Sequence, residues 1–333
     1  MNSTSAVILT LLICSNTVAD EALRQRFLTE YPNAEWRLRH RYATLKIVYE
    51  STYTRQEEHK NLPTGAKVVY LANQGNFRVD REQIGGKQRE IVSGFVLGPE
   101  GRLIVDRNVG ARQFHIRRVD APMPGREPEF MSFIAGVAPI AFAPFSCFSQ
   151  PIINLLDKPG FSIEDATSTD GDSGLVAVKW KWKLGELPPG SVKEWEGEWV
   201  FDPSRSWALV SCRFRRQLPD GTWAKEEAVD EMHFEGAIDD VPLVKRFVYS
   251  SKNVETGEIL DQELDTVTEI EPCEATADQF TRVAYGVGFE QDVPQNRTPK
   301  WLVILGWIWL GLSLLAAVEL LVRSILKRRQ APT

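Results

Sequence analysis

The sharpest chemical pattern in the sequence is Gly171-Asp172-Ser173-Gly174, the residue types of a nucleophilic serine in a glycine turn that shapes an oxyanion hole. Leu175-Val176 follows where a trypsin-like motif continues Gly-Pro, and none of His40, His59 or His115 stands in an Ala-His-Cys setting. STDGDSG therefore reads as turn chemistry between two strands. Asp170 and Asp172 lack the ligand spacing and distal Glu of a calcium loop. The four histidines are scattered without an HExxH pair, and His115 and His233 fall in strand-like alternation, so no metal site follows. Neither a GxxxxGKS phosphate loop nor a GxSxG elbow is present. Glu194, Glu196 and Glu198 alternate on one strand face with no positioned acid or base partner. The residues point away from an enzyme, with no catalytic side chain, metal or cofactor expected.

Charge and cysteine usage narrow the partners. The 333-residue chain has a net charge of −6. From Lys300 onward it carries five Lys or Arg and Glu319, so residues 20–299 hold about −10, which opposes binding of nucleic acid or an anionic surface through the overall field. Cys147, Cys212 and Cys273 remain if Cys14 is lost with a leader, leaving at most one internal disulfide and one spare thiol. Cys212, alternating with Val210 and Phe214, has the setting of a core residue.

The two ends suggest where such a domain works. Residues 301–322, WLVILGWIWLGLSLLAAVELLV, carry one ionisable side chain, Glu319, and at about 1.5 Å per residue just cross a hydrocarbon core of about 30 Å. Trp301, Trp307 and Trp309 gather toward the first half, as an aromatic belt would. At the other end the apolar run VILTLLIC at 7–14, followed by Thr17-Val18-Ala19, has the form of a signal peptide covering residues 1–19. Four basic residues, Arg323, Lys327, Arg328 and Arg329, would then lie inside, in accord with the positive-inside rule. The expectation is a single-pass type I protein of the cell (inner) membrane, its ectodomain extracytoplasmic or periplasmic and its C-terminus cytoplasmic.

Between these ends the pattern is mostly of period two. Leu23, Phe27 and Tyr31 predict a short amphipathic helix before Pro32, capped by Asp20, with a second helical piece through Trp36 and Leu38. LKIVYESTY from Leu45 opens an antiparallel meander whose members are AKVVYLAN, NFRVD, REIVSGFVL, RLIVD and QFHIRRV, with turns at Gly75, Gly85-Gly86 and Pro99-Glu100-Gly101. Residues 130–156 then pass without a charge. Pro139, Pro144 and Pro151 divide them into pieces too short to span a membrane, so they read as two or three short helices on the sheet, either a lid or a plain core pair. A second strand set begins with LVAVKWKWK, where Val176, Val178, Trp180 and Trp182 share one face. It continues to ILDQELDTVTEIE. Six of the seven tryptophans of residues 20–285 lie between Trp180 and Trp223, and such rings either line an apolar pocket or fill the core of a curved sheet. QDVPQNRTPK at 291–300 reads as a tether.

This order of helix, strand meander, uncharged helical interruption and second meander resembles the LolA/LolB/LppX group of bacterial lipoprotein carriers, which includes the RseB-type sensor domain. GNFRVD at 75–80 with VLGPEGRLIVDR at 96–107 is similar to the family's strand ending in Phe-Arg and its Gly-turn hairpin, and GEWVFDPSRSWALVSCRFR at 197–215 to its later strand, Asp-Pro turn and strand. The resemblance implies a mainly β fold with short helices, an incomplete antiparallel β-barrel or curved sheet wrapped around helices, followed by the C-terminal transmembrane helix. It also implies an apolar cavity for an acyl chain, with Phe77, Trp180, Trp182 and Trp207 as wall candidates and Phe133, Ile134 and Ile140 as lid candidates. The expected organisation is a signal peptide at 1–19, the LolA-like domain at 20–285, a linker at 286–300, the transmembrane helix at 301–322 and a basic tail at 323–333. The expected function is a membrane-anchored binding domain for a lipid or lipoprotein acyl chain. The alternative is a non-catalytic sensor or interaction module with a protein partner of the cell envelope, and, further off, a hydrolase.

Overall fold

The computed structural model describes residues 3–54, 63–85, 91–121, 127–169, 174–185 and 191–287, with side chains from Glu21 onward except those of residues 127–131. The expected transmembrane helix at 301–322, the tether, the basic tail and Ser173 of the GDSG motif lie outside the described residues. Among those described, no helix is long and apolar enough to cross a membrane.

The chain opens with α1 (Ser3–Tyr42), one continuous helix where two pieces separated at Pro32 were expected. Asp20 lies inside the helix instead of capping it. Energetics account for the continuity at Pro32. An interior proline costs about 3 kcal/mol, whereas Phe27, Tyr31, Leu38 and Tyr42 on one face are all at most 1% exposed. At roughly 1.5–3 kcal/mol for each large side chain buried, that stripe outweighs the lost hydrogen bond.

Six strands follow as a meander: β1 (Leu45–Thr54), β2 (Gly65–Asn73), β3 (Asn76–Ile84), β4 (Ile91–Gly98), β5 (Gly101–Asn108) and β6 (His115–Asp120). The uncharged stretch then forms α2 (Glu127–Val137), two 3-10 turns at Pro139–Ala141 and Ala143–Phe145, a two-stranded hairpin of β7 (Ser146–Cys147) and β8 (Gln150–Pro151), and α3 (Ile152–Leu156). It is a plug of short pieces, as its prolines imply. The second meander comprises β9 (Phe161–Ser168), β10 (Val176–Lys183), β11 (Glu194–Asp202), β12 (Ala208–Gln217), β13 (Glu226–Ile238), β14 (Val241–Asn253) and β15 (Ile259–Pro272).

All thirteen long strands join one curved, unclosed antiparallel sheet in the order β6-β5-β4-β3-β2-β1-β15-β14-β13-β12-β11-β10-β9. The two meanders meet where β1 pairs with β15, Leu45 opposite Pro272 and Thr54 opposite Gln262. The later half of α1 lies against β9, β12 and β14, α2 against β3, and the 3-10 turns against β12 and β14, so the sheet wraps the helices and the core sits between. The alternation in LVAVKWKWK is realised across neighbouring strands. On the inner face Trp180 and Trp199 pack at 5.2 Å between ring centres, with Phe161 stacked on both. On the outer face Glu198 pairs with Arg213 at 3.0 Å and Glu196 with Arg215 at 2.6 Å. The alternating glutamates are thus one side of a cross-strand charge ladder.

Candidate binding cavities

Two cavities flank the plug. The first, of about 410 Å³, lies between the end of α1, strands β2–β4 and the 3-10 turns. Its walls are rings: Tyr42 from α1, Tyr70 from β2, Phe77 from β3, and Phe142 and Phe145 from the plug. Local chemistry turns the two tyrosines into apolar walls by occupying their hydroxyls elsewhere. Tyr42 Oη donates to the Pro242 carbonyl at 3.0 Å and accepts from the Val244 N–H at 3.0 Å, while Tyr70 Oη donates to the Tyr42 carbonyl at 3.3 Å, one of the free carbonyls at the end of α1. Burial pushes both phenols above their ordinary range. The rings meet edge to face, Tyr70 with Phe142 at 6.1 Å and Tyr42 with Phe145 at 5.9 Å. At the rim stand Arg39, His40 and Trp36. Trp36 is 64% exposed and stacks on the His40 ring at 5.1 Å. The cavity is a greasy slot with the Arg39 guanidinium and the His40 ring at its edge.

The second cavity, of about 290 Å³, opens on the other side of the plug, against the inner face of β12–β15. Phe148, Phe214, Phe247 and Tyr249 supply apolar wall, and Asp230 and Glu263 supply acid. Burial, and then the nearby Glu263, raises the Asp230 carboxyl to about 7. The same two causes raise Asp265 to about 7; one of its oxygens accepts from the Ser51 hydroxyl. At this end of the concave face the Asp230 and Asp265 carboxyls are therefore held back from ionising.

The sequence-derived candidates fall in different places. Phe77, 5% exposed, lines the larger cavity. Trp180 is 1% exposed within the aromatic stack and lines neither inner cavity. Trp182 is half-buried, its indole N–H donating to the Pro159 carbonyl at 3.3 Å. Trp207 anchors α1: its indole N–H donates to Glu30 at 2.9 Å and its ring meets Phe27 at 5.7 Å. Phe133 lies against Phe95 at 5.6 Å with the Arg102 guanidinium above it. Ile134 and Ile140 are buried in the core, and the cavity walls come from their neighbours Ala135, Gly136 and Pro139 on one side and Phe142 on the other. Tyr42, Tyr70, Phe142, Phe145 and Asp230 were not singled out from sequence. Aromatic residues of one face carry no mark of whether a partner ring or a void stands opposite.

What the fold and cavities define is an unclosed antiparallel half-barrel with a helical plug and apolar hollows on its concave side. No protein-family model and no curated protein sequence matches the chain. Among solved structures it is similar to a LolA superfamily protein from Nitrosomonas europaea, at 7% identity and a TM-score of 0.35 over 77% of this chain and 99% of that one. It is also similar to the Mycobacterium tuberculosis lipoprotein LppX, at 11% identity and a TM-score of 0.26 over 74% and 97% of the two chains. LprF from Mycobacterium bovis gives 10% identity and a TM-score of 0.28 over 74% and 96%. At such scores the superpositions are loose, and the chemistry of the cavities comes from this chain's own residues.

Proposed function

We propose that this domain is a non-catalytic binding module that holds one apolar chain, of a lipid or of an acylated protein, in the larger cavity. The observation that carries the proposal is the 410 Å³ hollow itself, walled by five aromatic rings and rimmed by Arg39 and His40. Its volume is within the range of about 300–1,000 Å³ of small-ligand pockets, and its mix of rigid apolar wall with a few polar groups at one end suits an amphiphile. The chain would lie between Tyr70, Phe77 and Phe142 with an anionic or polar end at the rim. Residues 301–322 would keep the domain beside one membrane, facing the extracytoplasmic side, where such ligands are at hand.

Native mass spectrometry of the full-length chain, with lipid extraction and a competing fluorescent fatty-acid titration, tests this. Co-purifying lipid displaced by the probe is the expected result. Leu97→Trp, which fills the cavity from β4, is expected to weaken the probe at least about tenfold, a loss of about 1.4 kcal/mol. Arg39→Glu is expected to weaken an anionic probe more than a neutral alcohol of equal length. A protein that carries no lipid and ignores the probe would overturn the proposal and leave a protein partner at the membrane as the reading to pursue.

A further inference from the structure

We propose that Cys147 and Cys212 form a disulfide that staples the helical plug to the wall of the half-barrel. The two sulfurs stand 3.3 Å apart although 65 positions separate them in the chain. Both residues are buried, Cys147 at 2% exposure and Cys212 at none, so no solvent lies between them. Closing to the bond length of about 2.05 Å asks each sulfur to move only about 0.6 Å. Cys273, half-exposed just beyond β15, is held elsewhere by its backbone N–H donating to the Thr44 carbonyl at 2.8 Å.

The elements on both sides hold the pair in place. Cys212 sits mid-strand in β12, between β11 and β13, opposite Trp199 and Asp230. Cys147 ends β7, directly before the turn of the small hairpin, where Phe148 and Ser149 have φ of 53° and 56°. Left-handed backbone at two consecutive non-glycine residues persists only when the surroundings impose it. Here Phe148 is locked among Trp180, Trp182, Trp195 and Phe214, with ring centres between 4.4 and 6.3 Å. A staple one residue before this anchor secures the corner from which Ser146–Ser149 line the smaller cavity and Phe142 and Phe145 line the larger one.

The chemistry is thiol–disulfide exchange with a disulfide-bearing oxidant. Burial, followed by the neighbouring Cys147, pushes the Cys212 thiol well above its usual range, so Cys147, which borders the smaller cavity, reacts first, before the plug closes over it during folding. Cys147, as thiolate, attacks one sulfur of the oxidant and releases its first thiolate. Cys212, as thiolate, then attacks Cys147 Sγ and releases the second. The pair loses two electrons and two protons, and the oxidant leaves as two thiols. Such a bond persists in an oxidising compartment.

The full-length chain refolded in buffer with oxidised glutathione, then blocked with N-ethylmaleimide in denaturant and digested without reductant, tests the pairing wherever the protein resides in the cell. The expected product is one linked peptide pair containing Cys147 and Cys212, with Cys273 recovered in blocked form. Reduction is expected to lower Tm by about 10 °C, from the entropy of a loop of this length, and to leave the Cys147→Ser/Cys212→Ser variant unmoved. Recovery of both cysteines as blocked thiols, or a link from either to Cys273, would overturn the proposal. An equal Tm shift on reduction in the double variant would do the same.

Discussion

Glu35 shows how one side chain can tie the helices together and make stability depend on pH. It lies 1% exposed on α1, and one carboxylate oxygen accepts the Ile153 N–H at the start of α3 at 2.8 Å. Arg39 approaches it at only 3.8 Å. Burial dominates and raises its carboxyl from 4.5 to about 7. The folded state therefore holds a proton that the unfolded state releases, so the contribution of Glu35 to stability is complete below about pH 4.5 and is lost as pH rises through about 7. A raised value of this size corresponds to something on the order of 3 kcal/mol. Asp265, raised for the same reason, adds in the same direction. We expect stability in urea to fall between pH 5 and 8, and Glu35→Gln to flatten that fall while changing little at pH 5. A pH-independent midpoint in the native sequence would show that Glu35 ionises freely.

The β7–β8 hairpin lines the smaller cavity and follows directly on Phe142 and Phe145, the plug rings of the larger one. Its turn spends backbone energy at Phe148 and Ser149, and the Phe148 ring repays it by closing the aromatic cluster of β10–β12. The two effects separate by substitution. Ser149→Gly keeps the ring and relieves one left-handed position, and is expected to raise stability by about 1 kcal/mol. Phe148→Ala removes the ring and is expected to cost about 3–5 kcal/mol. Denaturant midpoints at constant slope measure both. A destabilised Ser149→Gly variant would mean that the serine side chain, and not the backbone, holds the turn.

At the scale of the whole molecule, the ladder between β1 and β15 joins the two meanders, and it forms from opposite ends of the domain. Among the described residues the edges β6 and β9 do not pair with each other, so the sheet has no second closure. Its folding must await a contact of long sequence separation, which slows two-state folding in general. A chain ending after Asn253 retains both plug and second-meander strands up to β14 but lacks that ladder. It is expected to show strand signal in far-UV circular dichroism without a cooperative thermal transition. A sharp transition near that of the full chain would show that the second meander folds around the plug by itself.

The sequence by itself determined the strands, their faces and the break between the two meanders. Alternation such as Val176, Val178 and Trp180 against Lys179 and Lys181, and prolines at 139, 144 and 151, are local signals, readable because strand geometry repeats every two residues and proline cannot continue a helix. Phe77 was legible as an inward-facing residue because strand parity places it on the inner face, beside Tyr70 and Ala72. Tertiary structure alone decided that α1 runs through Pro32, because the offsetting burial comes from strands far along the chain. It also decided that Trp180 and Trp207 pack against Trp199 and Phe27 while Tyr42 and Phe142 border a void, and that Cys147 meets Cys212. Whether an inward ring fills or lines, and which thiol it finds as neighbour, depends on what stands opposite, and that partner is set by the pairing of segments distant in sequence.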